Sequence, residues 1–174
     1  MAASNYWIAL FTVDTWDSFR KSPEKAAAFP ESRLSAASKI RTNDVLLFYL
    51  TGFSRFVGFA YADSSAFISR KGSVGSAPDF PVLVKVRDAV ELAPEFGLPI
   101  HEILSQLSVS KSNSPNGWRF RVRIAPAQWL ESDAAIVLQK LQEERLSPRM
   151  RPLEKYRRPI GLRPNPFAKG SNIA

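Results

Sequence analysis

Residues 45–61, VLLFYLTGFSRFVGFAY, hold two runs of branched and aromatic residues separated by a Thr-Gly tip. Such runs favour extended backbone, and a short glycine-bearing link between them favours an antiparallel hairpin. Three more segments read as strands. Residues 5–13, NYWIALFTV, are apolar on both faces, which places them centrally in a sheet. Residues 80–92, FPVLVKVRDAVEL, form a long strand. In residues 118–126, WRFRVRIAP, Trp118, Phe120, Val122 and Ile124 alternate with Arg119, Arg121 and Arg123, the pattern of a strand with one basic face.

The helical signals are shorter. Asp14 or Thr15 caps a helix that Pro23 stops. Residues 23–29, PEKAAAF, start with proline and read as a helical turn. Residues 29–40 read as a loop that ends in a turn of helix, and 98–107 and 131–144 as helices. The order β α β β β α β α holds too many hairpins for a doubly wound parallel sheet. It fits an α+β domain, a small mostly antiparallel sheet that curls into a barrel with short helices around it.

The chain has 174 residues and a net charge of +8. The excess is concentrated in residues 145–174, where eight Lys and Arg face a single Glu and five prolines interrupt any period. This predicts a near-neutral domain over residues 1–145 and a basic, proline-rich C-terminal tail over 146–174. A tail of that charge suits a polyanionic partner. There is no cysteine, which excludes disulfides, thiol nucleophiles and zinc–thiolate sites. No apolar run approaches the ~20 residues of a membrane span, so a soluble, cytoplasmic protein with no membrane partner is expected.

Catalytic signals are sparse. His101 is the single histidine and has no second histidine one helical turn away. The KGSVGS loop lacks phosphate-loop spacing, and the Asp14/Asp17 and Glu143/Glu144 pairs suit helix ends. The expectation is a binding protein, not an enzyme, with no cofactor and no metal. Trp16, Phe29, Tyr49, Phe53 and Trp118 fall at strand ends or in loops, where aromatics either plug a small barrel or wall a pocket for a flat base.

Several segments together resemble the EVE domain of the PUA-like superfamily, related to the YTH and SRA domains. They are NYWI, residues 29–67, residues 79–100, residues 107–126 and ESDAAIVLQKL. Residues 39–59 carry the most specific part, a turn, a strand, a Tyr-X-Thr-Gly tip and a glycine-bearing return strand. One departure is Asn43-Asp44 where the family has Gly-Asp; Asn tolerates the left-handed backbone, so the turn is expected to survive. The basic end also resembles that of a bacterial subgroup of EVE proteins.

The resemblance implies a pseudo-barrel of five or six strands and a module that reads a modified, flipped or unpaired base in DNA or RNA. Carried over by position, the base pocket draws on Trp16, Phe29, Ser32, Arg33, Tyr49, Thr51, Gly52, Phe53, Ser54 and Trp118. Arg41, Arg55, Arg119, Arg121 and Arg123 are the expected phosphate contacts. The resemblance implies a link to restriction of foreign DNA, with a nuclease or other protein as partner. Competing readings are a protein-interaction adaptor whose basic tail docks on its partner, a modified-RNA binder, and a free-nucleotide binder. An open mouth with polar groups beside aromatics favours a base reader; a mouth filled by Trp16 or Phe53 favours the adaptor.

Overall fold

The computed structural model describes residues 4–69, 79–111 and 117–153. Most of the glycine-rich loop at 69–80, the turn at 112–116 and the tail from residue 154 lie outside the described residues.

Strand β1 (Tyr6–Phe11) leads into helix α1 (Val13–Lys21), strand β2 (Ala26–Phe29) and the short helix α2 (Leu34–Ala37). The hairpin follows as β3 (Val45–Leu50) and β4 (Arg55–Ala62), then the two-residue β5 (Phe67–Ile68) and the long β6 (Val82–Glu91). The chain then forms β7 (Leu98–Pro99), α3 (Ile100–Ile103), α4 (Gly117–Arg123), β8 (Ala127–Trp129) and α5 (Glu131–Leu146). The strands order as β2-β6-β4-β3-β1-β8, with β5 on β6 and β7 on β4. Every pair is antiparallel except β1 with β3, where Tyr6 to Phe11 lie opposite Val45 to Leu50. The sheet is a half-barrel whose two ends are β2 and β8, flanked by helices, in an α+β fold.

Both faces of the sheet are covered. One apolar cluster joins Trp7, Phe11, Trp16, Phe19, Phe29 and Phe48 on the α1 side. The other joins Ile8, Tyr49, Phe56, Trp118, Trp129 and Val137 on the α5 side. β1 is therefore central and buried on both sides, as its sequence suggests. Its position is fixed from below by buried Asp44, whose carboxylate accepts from Asn5 N, Trp7 Nε1 and Arg41 N. Asn43 holds φ +74°, so the turn survives the missing glycine. Gly58 is needed for a different reason: a Cβ there would sit 2.0 Å from the carbonyl oxygen of Val90 on β6.

Two local expectations fail. Residues 26–29 form an edge strand, not a helical turn. Three alanines favour helix, but Pro23 and Pro30 leave too few residues to pay for nucleation, while β6 offers hydrogen bonds. Residues 117–123 form a helix, not a strand. The alternation there also satisfies the helical spacing, because Trp118 and Val122 are four apart. Those two are buried, whereas Phe120 and Ile124 are 70% and 54% exposed, so only the helical half of the pattern enters the core. Helix 98–107 is shortened to α3 followed by a 3-10 turn at Leu104–Gln106. The first-helix cap is Thr12, one turn earlier than Thr15, and the two residues form a reciprocal capping box.

Candidate functional site

A groove of about 520 Å³ opens between α1, β2 and the β3–β4 tip. Its floor is apolar: Leu10 and Phe11 at the end of β1, Phe19 of α1, and Ala26 and Ala28 of β2. Thr12, Thr15 and Ser18 contribute hydroxyls from one face of α1, and Thr51 adds another from the tip. Phe80, 38% exposed, stands at the rim. Among the described residues Glu24 is the one charged member of the lining, and none is a cation.

Several of these hydroxyls are oriented by the fold. Thr51 Oγ1 and Thr51 N both donate to Phe11 O, tying the tip to the end of β1. Ser18 Oγ donates to Asp14 O. These oxygens therefore present lone pairs, not hydrogens, to anything in the groove. The main chain supplies both functions. Val86 N donates to Lys25 O, so the alternation of an antiparallel pair turns the N–H and C=O of Ala26 and Ala28 away from β6, toward the free edge.

The structure separates the expected pocket residues into three groups. Thr51 lines the groove; Gly52 (φ +84°) and Ser54 (φ +51°) shape the tip beside it, and Phe53 is half-buried against the α1-side cluster. Trp16, Phe29, Tyr49 and Trp118 belong to the core, at 0%, 1%, 3% and 4% exposure. Trp16 Nε1 donates to Leu92 O at 3.0 Å and its ring stacks on Phe19. Burial pushes the Tyr49 phenol up, against the hydrogen bond from Ser54 and the nearby charges of Arg119 and Arg123. Ser32 is exposed outside the groove.

The arginines divide in the same way. Arg33 donates to the carbonyls of Ile124, Ala125 and Pro126, pinning the chain after α4. Arg55 is buried and donates to Pro94 O, Arg151 O and Pro152 O. The Arg55 guanidinium is therefore not presented to solvent as a phosphate contact must be, and the half-exposed Arg33, expected in the base pocket, is instead bonded to backbone away from the groove lining. Arg41 is exposed. Arg119, Arg121 and Arg123 are carried by α4, so they splay around a helix where a common strand face was expected. Among the described residues none of the three makes an ion pair. Arg119 lies 5.3 Å from the Trp118 ring, and Arg121 lines a small cavity of about 90 Å³ with Trp129 and Asp133.

The groove's helical wall went unread in the sequence, although Thr12, Thr15 and Ser18 recur every third residue, a helical spacing. The contribution of Ala26 and Ala28 leaves no side-chain signal, since it lies in the backbone.

A mixed half-barrel flanked by helices, with its groove at one open end, defines a PUA-like fold of the kind found in YTH domains. The chain is similar to the Mmi1 YTH domain solved in complex with RNA, at 15% identity and a TM-score of 0.59 over 85% of each chain. It is similar to the Pho92 YTH domain solved in complex with m6A, at 14% identity and a TM-score of 0.57, covering 80% of this chain and 84% of that one. Protein Atu2648 from Agrobacterium tumefaciens shares the fold at 13% identity and a TM-score of 0.53, covering 79% of this chain and 93% of that one. No protein-family model and no curated protein matches the chain. Among the described residues no helix is long and apolar enough to cross a membrane, and no group of three His, Asp or Glu is placed to hold a metal.

Proposed function

We propose that the protein is a non-catalytic reader of modified nucleic acid, an EVE-type module that holds one unpaired or extruded base in the groove between α1 and β2. The observation that carries this reading is that, among the described residues, the groove holds no cation, while across the end of β1 from it a helix carries three arginines without an ion pair. A neutral base belongs in the first, and its phosphates belong on the second. The apolar floor and Phe80 suit the faces of the base. The open edge of β2 offers N–H and C=O groups to its polar rim, and the hydroxyl oxygens of α1 accept from an amino group. Trp16 lies in the core and Phe53 packs against it, so neither fills the groove between α1 and β2, which favours a base over a protein-docking role for this end. The named complexes of the structural neighbours, with RNA and with m6A, support RNA as the first probe. DNA recognition, a bacterial restriction context and a nuclease partner belong to the same proposal and rest on the EVE resemblance.

The test is a titration with matched DNA and RNA oligonucleotides and nucleosides, unmodified and carrying methylated or hydroxymethylated bases. Tighter binding of one modified base is expected, and Ala28→Leu, which fills the groove, is expected to abolish the preference while circular dichroism stays unchanged. Equal binding of every base, indifferent to Ala28→Leu, overturns the proposal.

A further inference from the structure

Helix α4 holds an aromatic ring out to solvent between cations. Its buried side is defined by Trp118 and Val122, at 4% and 3% exposure. At ~100° per residue, Phe120 then stands at the crest, opposite that buried side. Ile124, one turn on, continues the exposed apolar strip. Arg119 and Arg123 fall on one flank and Arg121 on the other. Isolated exposed apolar residues are ordinary on protein surfaces. Here two adjacent ones, 70% and 54% exposed, lie between three arginines without an ion pair among the described residues.

The flank bearing Arg119 and Arg123 faces a known place. Both charges act on Tyr49, near the end of β3. Tyr49 is the register partner of Leu10, and Leu10 lines the groove. Arg33, from the turn that follows β2, clasps the carbonyls at the other end of α4. Leu10 packs against both apolar clusters, so the end of β1 joins the groove on the α1 side to the cluster that receives Trp118 and Val122 of α4, and a strand with a base in the groove can continue across it toward α4.

We propose that α4 seats the nucleotide next to the base in the groove, with that neighbour's base stacked on Phe120 and its flanking phosphates on Arg123, Arg119 and Arg121. This rests on the reading of the groove as a one-base site. An aromatic crest between cations is the combination that single strands require, because every base has a stacking face and every linkage a charge. A seven-residue helix with Phe120 exposed on it and Ile124 exposed just past its end is too small for a membrane-surface anchor. Stacking of this kind is indifferent to sequence. The platform adds affinity with strand length, while preference for the modified base stays in the groove.

The full chain is titrated with the preferred modified nucleoside and with pentanucleotides that carry it at the centre. Phe120→Ala is expected to weaken pentanucleotide binding roughly 10-fold and to leave nucleoside binding unchanged, and Phe120→Trp to restore it. Arg121→Gln and Arg123→Gln are each expected to reduce the slope of log affinity against log salt by about 0.7. These two report independently of Phe120. Unchanged pentanucleotide affinity in Phe120→Ala, with nucleoside binding still lost in Ala28→Leu, overturns the platform and leaves the groove. No base preference, with Phe120→Ala still weakening the pentanucleotide, overturns the groove alone and supports α4 as a strand-binding surface. Loss of binding to anionic vesicles in Phe120→Ala, at unchanged pentanucleotide affinity, assigns the face to membranes and overturns the proposal.

Discussion

Trp16 shows how an aromatic at a strand end is resolved. It is the fourth residue of α1, just after β1, a place that suits a pocket wall or a core plug equally. Its neighbours decide: Phe11, Phe19 and Phe48 lie within 5.6 Å centroid to centroid, and Leu92 O satisfies the indole N–H. Trp16→Phe should cost about 1–3 kcal/mol, since it leaves that buried carbonyl without its donor; urea unfolding measures it. Arg33 and Arg55 teach the same lesson for charge. Sequence identifies an arginine but not what its fork meets, and here both forks meet backbone carbonyls. Arg33→Gln and Arg55→Gln are each expected to lower stability by about 1–3 kcal/mol. Neither should change the salt slope of nucleic-acid binding, whereas Arg123→Gln should. Thr51 was legible because a glycine tip fixes its place. The roles of Ala26 and Ala28 were not, because a backbone edge is set by which strand has no second neighbour.

The long elements were the readable ones. The β3–β4 hairpin, β6 and α5 carry enough apolar positions for their period to determine them, and the structure has each of them near its expected bounds. The short ones were settled by tertiary contacts: β2 took its state from the edge of β6, and α4 from the cluster that receives Trp118 and Val122. β4 also carries a constraint that its own pattern hides. Gly58 in the β-strand reads as a propensity defect, yet the approach of Val90 O leaves no room for a methyl group. Gly58→Ala is expected to push β4 and β6 apart at the bulge and cost more than about 3 kcal/mol. A melting temperature within a degree or two of the parent protein refutes that packing.

The whole molecule is partly held by the start of its basic segment. Residues 147–153 do not leave the body freely. Arg151 bonds Glu102 and buried Glu144, Arg149 bonds Glu144, and Arg55 holds the carbonyls of Arg151 and Pro152. Charge counting located this segment but could not show that its first cations are already paired within the fold. Burial pushes the Glu144 carboxyl up, but the hydrogen bonds of Arg151 and Arg149 outweigh it and hold it at about 2. The hydrogen bonds of Glu144 and Glu102 raise Arg151 in turn. A depressed carboxylate stabilises fully above its ordinary value of 4.5, and the contribution fades as pH falls from there toward about 2. Glu144→Gln should therefore open the latch at pH 7, at a cost of about 3 kcal/mol. Tryptic cleavage after Arg149, followed by mass spectrometry, is expected to accelerate in the variant. Unchanged cleavage means that Arg55 and the Arg151–Glu102 pair hold the segment without Glu144. The central place of β1 has a consequence for synthesis. Its parallel partner β3 and its other neighbour β8 are both made later, Trp129 pairing with Tyr6 only near the end of the fold. At cellular rates of translation the strand YWIALF waits on the order of 10 s for its second edge to be covered. Until β8 is made the nascent chain carries an apolar β-segment with an open edge, the kind of segment that holding chaperones bind.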